Sequence, residues 1–185
     1  MTLSSDRHLI TASLPILEDY LLSKDLFWSV GGQVRRGEIE IRLTLGNIQL
    51  SRLRLAGAVK GGINLPDFEQ ADQQIEQVRR KWIVNWGKKA CQEWTYRLRQ
   101  WSLYLSEMDT KKGIPPNFAF QIRQRAILTI LQDDAVDIPE QARKALEDLD
   151  KNLKSRFVQG NFLWEPEVKP GFPIESYWFL YLANG

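Results

Sequence analysis

Residues 67–108 read DFEQADQQIEQVRRKWIVNWGKKACQEWTYRLRQWSLYLSEM, with no proline and with apolar positions at helical spacing. Asp67 follows Pro66 and is placed to cap a helix, and Glu69 adds negative charge to the first turn. An unbroken helix over Phe68–Met108 is about 60 Å long at about 1.5 Å rise per residue. A compact domain of this size is only about 40 Å across. The helix therefore projects from the body or bends, and Gly87 is the expected bend. The apolar phase agrees. Ile75, Val78 and Trp82 are spaced three and four, then the seam moves through Trp86 and Ala90 and settles into Trp94, Leu98, Trp101, Leu105 and Met108. At about 100° per residue the apolar face turns by about 160° between Trp82 and Leu98, so the two halves meet different neighbours.

Upstream, residues 37–57 read GEIEIRLTLGNIQLSRLRLAG. Ile39, Ile41, Leu43 and Leu45 alternate with Glu40, Arg42 and Thr44, the pattern of a half-buried strand. Gly46 and Asn47 tolerate positive φ, and Ile48, Leu50, Leu53 and Leu55 continue with one slip of phase at Ser51-Arg52. This predicts a β-hairpin over about 39–55, with a bulge in its second arm. The N-terminal segment is polar and reads as loosely ordered, followed by a short helix over Ser13–Ser23 with Pro15 in its first turn.

Downstream, residues 111–117 (KKGIPPN) are a turn, and Asn117 is placed to cap a helix from Phe118 to about Gln132. Pro139 opens another helix that runs to about Val158, with Gly160 as its terminator. Tyr177, Trp178, Phe179, Leu180, Tyr181 and Leu182 form an apolar run close to the last residue. Left exposed, such a run aggregates. It is therefore expected to be ordered and buried, as a third strand beside the hairpin or against the long helix. The fold class is α+β, mainly α: a helical bundle with one very long helix (about 68–108), a β-hairpin and one domain over 1–185.

Composition narrows the function classes. The chain has 185 residues, 43% apolar and 26% charged, with a net charge of +2. Its mean hydropathy is −0.36. These values exclude a disordered chain and do not demand nucleic acid or an anionic membrane. No apolar stretch reaches the roughly 20 residues that cross a bilayer, and no secretory pattern opens the sequence, so a cytoplasmic setting is expected. One His and one Cys exclude a disulfide framework and a His/Cys zinc site within one chain. His8 lacks a nucleophile–acid constellation, and Cys91 reads as a small hydrophobe within a helix. GAVKGGINLP (57–66) lacks the Gly-Lys-Ser/Thr order of a phosphate loop. Asp133, Asp134 and Asp137 read as helix-end punctuation rather than cation ligands. No catalytic, cofactor or metal set emerges.

Two features remain. The first is the tryptophan series Trp82, Trp86, Trp94 and Trp101 on the long helix, each able to bury roughly 200 Å². The second is charge segregation. Residues 79–125 carry eleven Lys/Arg against three acids, and residues 133–150 carry seven acids against two bases. Lys81, Lys88 and Arg99 fall within about 20° of each other on the helix, and Arg123 and Arg125 follow on the next. The expected function is a non-catalytic subunit or adaptor docking on a protein partner, or on its own copy, through the tryptophan face. The alternative is a nucleic-acid-binding subunit that contacts phosphates through Lys81, Lys88, Arg99, Arg123 and Arg125.

Overall fold

A computed structural model describes residues 2–30, 42–108 and 113–184. The chain is mainly helical, with two small antiparallel sheets. Helices α1 (Leu3–Ser13) and α2 (Leu17–Leu22) are joined by a 3-10 turn over Leu14–Ile16, with Pro15 in it. Strands β1 (Trp28–Ser29) and β2 (Arg42–Leu43) pair with Trp28 opposite Leu43. Helices α3 (Leu45–Lys60), α4 (Phe68–Lys81) and α5 (Ile83–Glu107) follow. Then come α6 (Phe118–Gln121), α7 (Arg123–Leu131) and α8 (Glu140–Arg156). Strand β3 (Phe157–Gln159) leads to a 3-10 helix (Pro166–Gly171), α9 (Ile174–Tyr177), a 3-10 turn and β4 (Leu182–Asn184).

The hairpin over 39–55 does not form. Ile39 and Ile41 lie outside the described residues; Leu43 belongs to β2, whose partner is β1, and everything from Leu45 to Lys60 is helix. Thr44 decides this. It is extended (φ −143°, ψ 160°), and its Oγ1 accepts the Asn47 N–H at 3.1 Å, so the Gly46-Asn47 pair opens a helix instead of turning a hairpin. The alternation misled because α3 is buried on two sides. Leu45, Gly46, Ile48, Leu50, Ser51, Arg54, Leu55, Gly57 and Ala58 are all buried, and at about 100° per residue they point around most of the helix. A helix covered nearly all round shows no clean stripe.

The helix predicted over 68–108 exists as two pieces. The break is at Trp82 (φ −116°, ψ 34°), five residues before the expected bend at Gly87. Hydrogen bonds still cross it, from Trp82 N–H to the Val78 carbonyl and from Trp86 N–H to the Trp82 carbonyl. Glu18 of α2 holds the joint by accepting from the Trp82 indole at 3.0 Å and from Lys81 at 2.7 Å. Gly87 serves close approach, since a Cβ there would lie 3.3 Å from the Asp134 carbonyl. The side chains of Asp67 and Asn117 do not cap their helices: Asp67 faces Arg7, and Asn117 accepts from the Tyr104 hydroxyl.

The N-terminal segment is ordered, against the expectation. Thr2 and Ser5 form a capping box, and Asp6, Leu9, Ile10 and Ser13 are buried. The C-terminal run is buried as expected, with Phe179 and Leu180 fully enclosed and the Tyr181 hydroxyl donating to the Phe172 carbonyl at 2.7 Å. Its strand pairs with β3, Val158 opposite Ala183, rather than with β1–β2.

Helix α3 lies at the centre, against α1, α5, α7 and the Pro166–Gly171 helix. That last contact runs backbone to backbone at Gly57 and Gly171. A Cβ on Gly57 would collide with the Val168 carbonyl and stand 2.7 Å from the Gly171 nitrogen. Backbone cannot step aside as a side chain can. Gly57→Ala should therefore cost about 3 kcal/mol, despite gaining helix propensity of about 0.5–1 kcal/mol. Thermal unfolding should show a Tm lower by about 6–12 °C. An unchanged Tm would mean the two helices do not touch here.

Candidate functional site

The tryptophans of α5 do not form an outward face. Trp86, Trp94 and Trp101 are buried among the helices that surround α5. Trp86 donates its indole N–H to Asp134 at 2.9 Å, Trp94 donates to the Leu128 carbonyl at 3.1 Å, and Trp101 stacks on Tyr104. Only Trp82 is half-exposed, and Glu18 holds its N–H. These side chains are core, so the docking surface expected of them is not presented.

The basic stripe is also divided. The break at Trp82 puts Lys81 on α4, paired with Glu18. Arg125 is buried, its guanidinium held by both Asp150 oxygens at 2.8 and 2.7 Å and lying 4.6 Å from the Phe179 ring centroid. Lys88 and Arg99 are exposed on α5. Part of the local charge surplus is internal: Lys89 lies over the Tyr20 ring, and Arg97 is bound to Glu93. Asp134, read as punctuation, is a hub that accepts from Trp86, Gln49 and Arg79. Cys91 is half-buried and His8 is exposed on α1. Among the described residues, no three His, Cys, Asp or Glu side chains come together as a metal site. No described helix is long and apolar enough to cross a membrane.

Arg123 stands apart. As the first residue of α7 it lines a cleft of about 500 Å³ between α3, α6 and the segment before Pro166. Across the cleft is Arg54 of α3, which donates to the buried Asp6 at 2.8 Å and to Glu165 at 3.1 Å. Asp6 in turn accepts from Ser51 at 2.8 Å, so α1, α3 and the C-terminal segment meet on one ion pair. Trp164 forms a wall, its indole N–H held by the Ala119 carbonyl at 2.7 Å and its ring 5.5 Å below the Arg54 guanidinium. Phe120 of α6 stands at the mouth, 50% exposed, with Arg123 above its ring at 5.4 Å. Leu50, Leu163, Pro116 and Ala119 supply the rest of the apolar lining.

Arg54 is satisfied; Arg123 is not. Its Nε is enclosed without a hydrogen-bond partner, and Arg123 forms no hydrogen bond or ion pair with any described residue. Burial, and after it repulsion from Arg97 and Arg54, pushes its pKa down to about 10; Asp6 and Glu165 act in the other direction. The guanidinium is still charged at neutral pH. A cation held this way, beside aromatic walls and open to a cleft, can receive an anion through its planar fork of N–H groups.

Sequence reasoning named Arg123 as one of a row of cations. It missed Arg54, Trp164 and Glu165 as its neighbours, because they lie up to 111 residues apart in the chain. The chain matches no protein-family model, and no curated protein or solved structure shows significant similarity to it.

Proposed function

We propose that this chain is a non-catalytic binding protein, and that its ligand or partner presents an anionic group to Arg123. The observation that supports the reading is the Arg123 guanidinium, without a hydrogen-bond or ion-pair partner among the described residues, in an aromatic-walled cleft of about 500 Å³. Clefts of this size, with few polar groups among apolar walls, are the usual form of a binding site. The docking role expected of the tryptophan helix thus passes to the cleft and its exposed rim at Phe120.

Such a site has a signature in stability. A buried donor without a partner, here the Arg123 Nε–H, costs on the order of 1–3 kcal/mol. Arg123→Met removes that cost and keeps the stem's packing, so Tm should rise by about 2–12 °C. The pH dependence has a definite sign. The folded-state pKa lies below the unfolded one, so the penalty is fully present at every pH below about 10 and fades only as pH rises above it. The gain in Tm should therefore be constant between pH 6 and 9. Wild type should gain Tm with added carboxylate or phosphate compounds, and the variant should not. A fall in Tm on Arg123→Met would make Arg123 a structural residue and remove the proposal.

A second reading rests on Lys88 and Arg99, both exposed on one face of α5. They are eleven residues apart, about 16 Å along the axis. Two phosphate contacts give a slope of about −1.8 in log K against log salt. Titrating a labelled oligonucleotide at two salt concentrations measures it, and no binding at low salt rejects it.

A further inference from the structure

The ligand class follows from the charges and walls of the same cleft, and this inference rests on the reading above. We infer that the cleft takes an apolar monocarboxylate: a single carboxylate on Arg123, joined to a ring-sized apolar body that lies against Phe120 and Leu163.

The charges argue for one negative charge rather than two. Arg54 already faces two carboxylates, Asp6 behind it and Glu165 at the rim. With those pairs in place, Arg123 is, of the two arginines that line the cleft, the one left to answer a ligand. A dianion such as a phosphate monoester would bring its second charge toward Glu165, whose carboxyl is pushed up by burial but more than pulled back, below its ordinary range, by a backbone hydrogen bond and by Arg54, and so stays ionised. Like charges brought into one cleft repel, which is how a site rejects a near-miss ligand. The shape argues for a carboxylate too, since a guanidinium fork binds two coplanar oxygens. The walls argue for the apolar body. Phe120 exposes half its surface at the mouth, a large apolar side chain left beside an unpaired cation. The Trp164 ring is already covered by Arg54 and by edge contacts from Phe162 and Phe172, so it forms the back wall rather than the stacking surface.

Free aromatic acids and the C-terminal residue of a peptide share this chemistry. The probes are 3-phenylpropionate, its neutral amide, phenyl phosphate, and a peptide ending in Leu-Phe with a free or an amidated C-terminus. Each is titrated by calorimetry into the full chain, into Arg123→Met and into Phe120→Ala. The expected result is saturable binding of 3-phenylpropionate or of the free-acid peptide. The matching amide should bind about tenfold to a hundredfold more weakly, and so should phenyl phosphate. Arg123→Met should lose the carboxylate, and Phe120→Ala, at an exposed position that leaves folding intact, should weaken it about tenfold. Binding of the small acid assigns the site to free acids; binding of the peptide alone assigns it to a chain terminus. If phenyl phosphate binds as tightly as the carboxylates and Arg123→Met abolishes both, the monocarboxylate assignment falls while the anion site stands. If no probe binds, or if Arg123→Met leaves binding unchanged, both fall.

Discussion

A chain ending at Ser176 should not fold. Truncation there removes Tyr177, Phe179, Leu180, Tyr181 and Leu182, all of them buried. Each large side chain contributes on the order of 1.5–3 kcal/mol by leaving water. Five of them rival the whole stability of a typical domain, about 5–15 kcal/mol. The damage extends beyond area. Strand β3 loses its partner, so the edge from Phe157 to Gln159 is left unpaired. Arg125 loses the Phe179 ring beneath its guanidinium, and Phe172 loses the hydroxyl that satisfies its carbonyl. Expression of the truncated chain should give insoluble protein, or a soluble form without near-ultraviolet circular dichroism. A folded monomer with native spectra would show that the segment is a docked tail and that the core closes without it.

That segment was legible in the sequence because its composition allows few places for it. Six consecutive large apolar residues cannot stay in water, whatever the fold around them. Helix α8 was legible for a similar reason, with Pro139 at its start and a heptad-like series from Ala142 to Leu153 inside. Helix α3 was not. Ile48 and Leu50 are two apart, as on a strand, yet Ile48 and Leu55, seven apart, are the pair on one helical face. The phase slip at Ser51-Arg52 was the available sign of a 3.6-residue period, and it resembled a bulge. The tryptophans were legible as apolar but not as interior. A single sequence does not say how many neighbours a helix has, and α5 has them on several sides. The cleft was the least legible feature, since Arg54, Arg123 and Glu165 come together only through tertiary packing. The local alternation around Arg54 reads as a strand, and Arg123 carries nothing local that separates it from Arg125 two residues on. What separates them is Asp150, which pairs with one and not the other.

Glu93 illustrates the same limit at larger energetic stakes. In the sequence, Glu93 and Arg97 look like a surface pair four residues apart on a helix, worth a few tenths of a kcal/mol. In the fold both are buried. One Glu93 oxygen accepts from the Gly46 N–H at 2.7 Å, and the other accepts from the Thr44 hydroxyl at 2.7 Å and from Arg97 at 2.7 and 3.0 Å. The carboxylate thus sits at the N-terminus of α3, where free N–H groups favour negative charge. Gly46 is what lets it approach, since a Cβ there would stand 3.0 Å from the Glu93 carboxyl carbon and strike its oxygen. Glu93→Leu removes the carboxylate and leaves Arg97 buried with neutral partners among the described residues, Gln124, Asn47 and Thr44. The expected loss is about 3–5 kcal/mol, a drop of about 6–20 °C in Tm. Arg97→Leu should also destabilise, because it leaves Glu93 with the Gly46 and Thr44 donors but no countercharge. The double variant is the sharper measurement. Removing both charges removes the cost of burying either alone, so its loss should fall short of the sum of the singles by more than about 1 kcal/mol. Denaturant midpoints at unchanged m-values read this coupling directly. Additive losses would mean that Glu93 acts only as the cap of α3, and that Arg97 draws its stability from Gln124 and Asn47 instead.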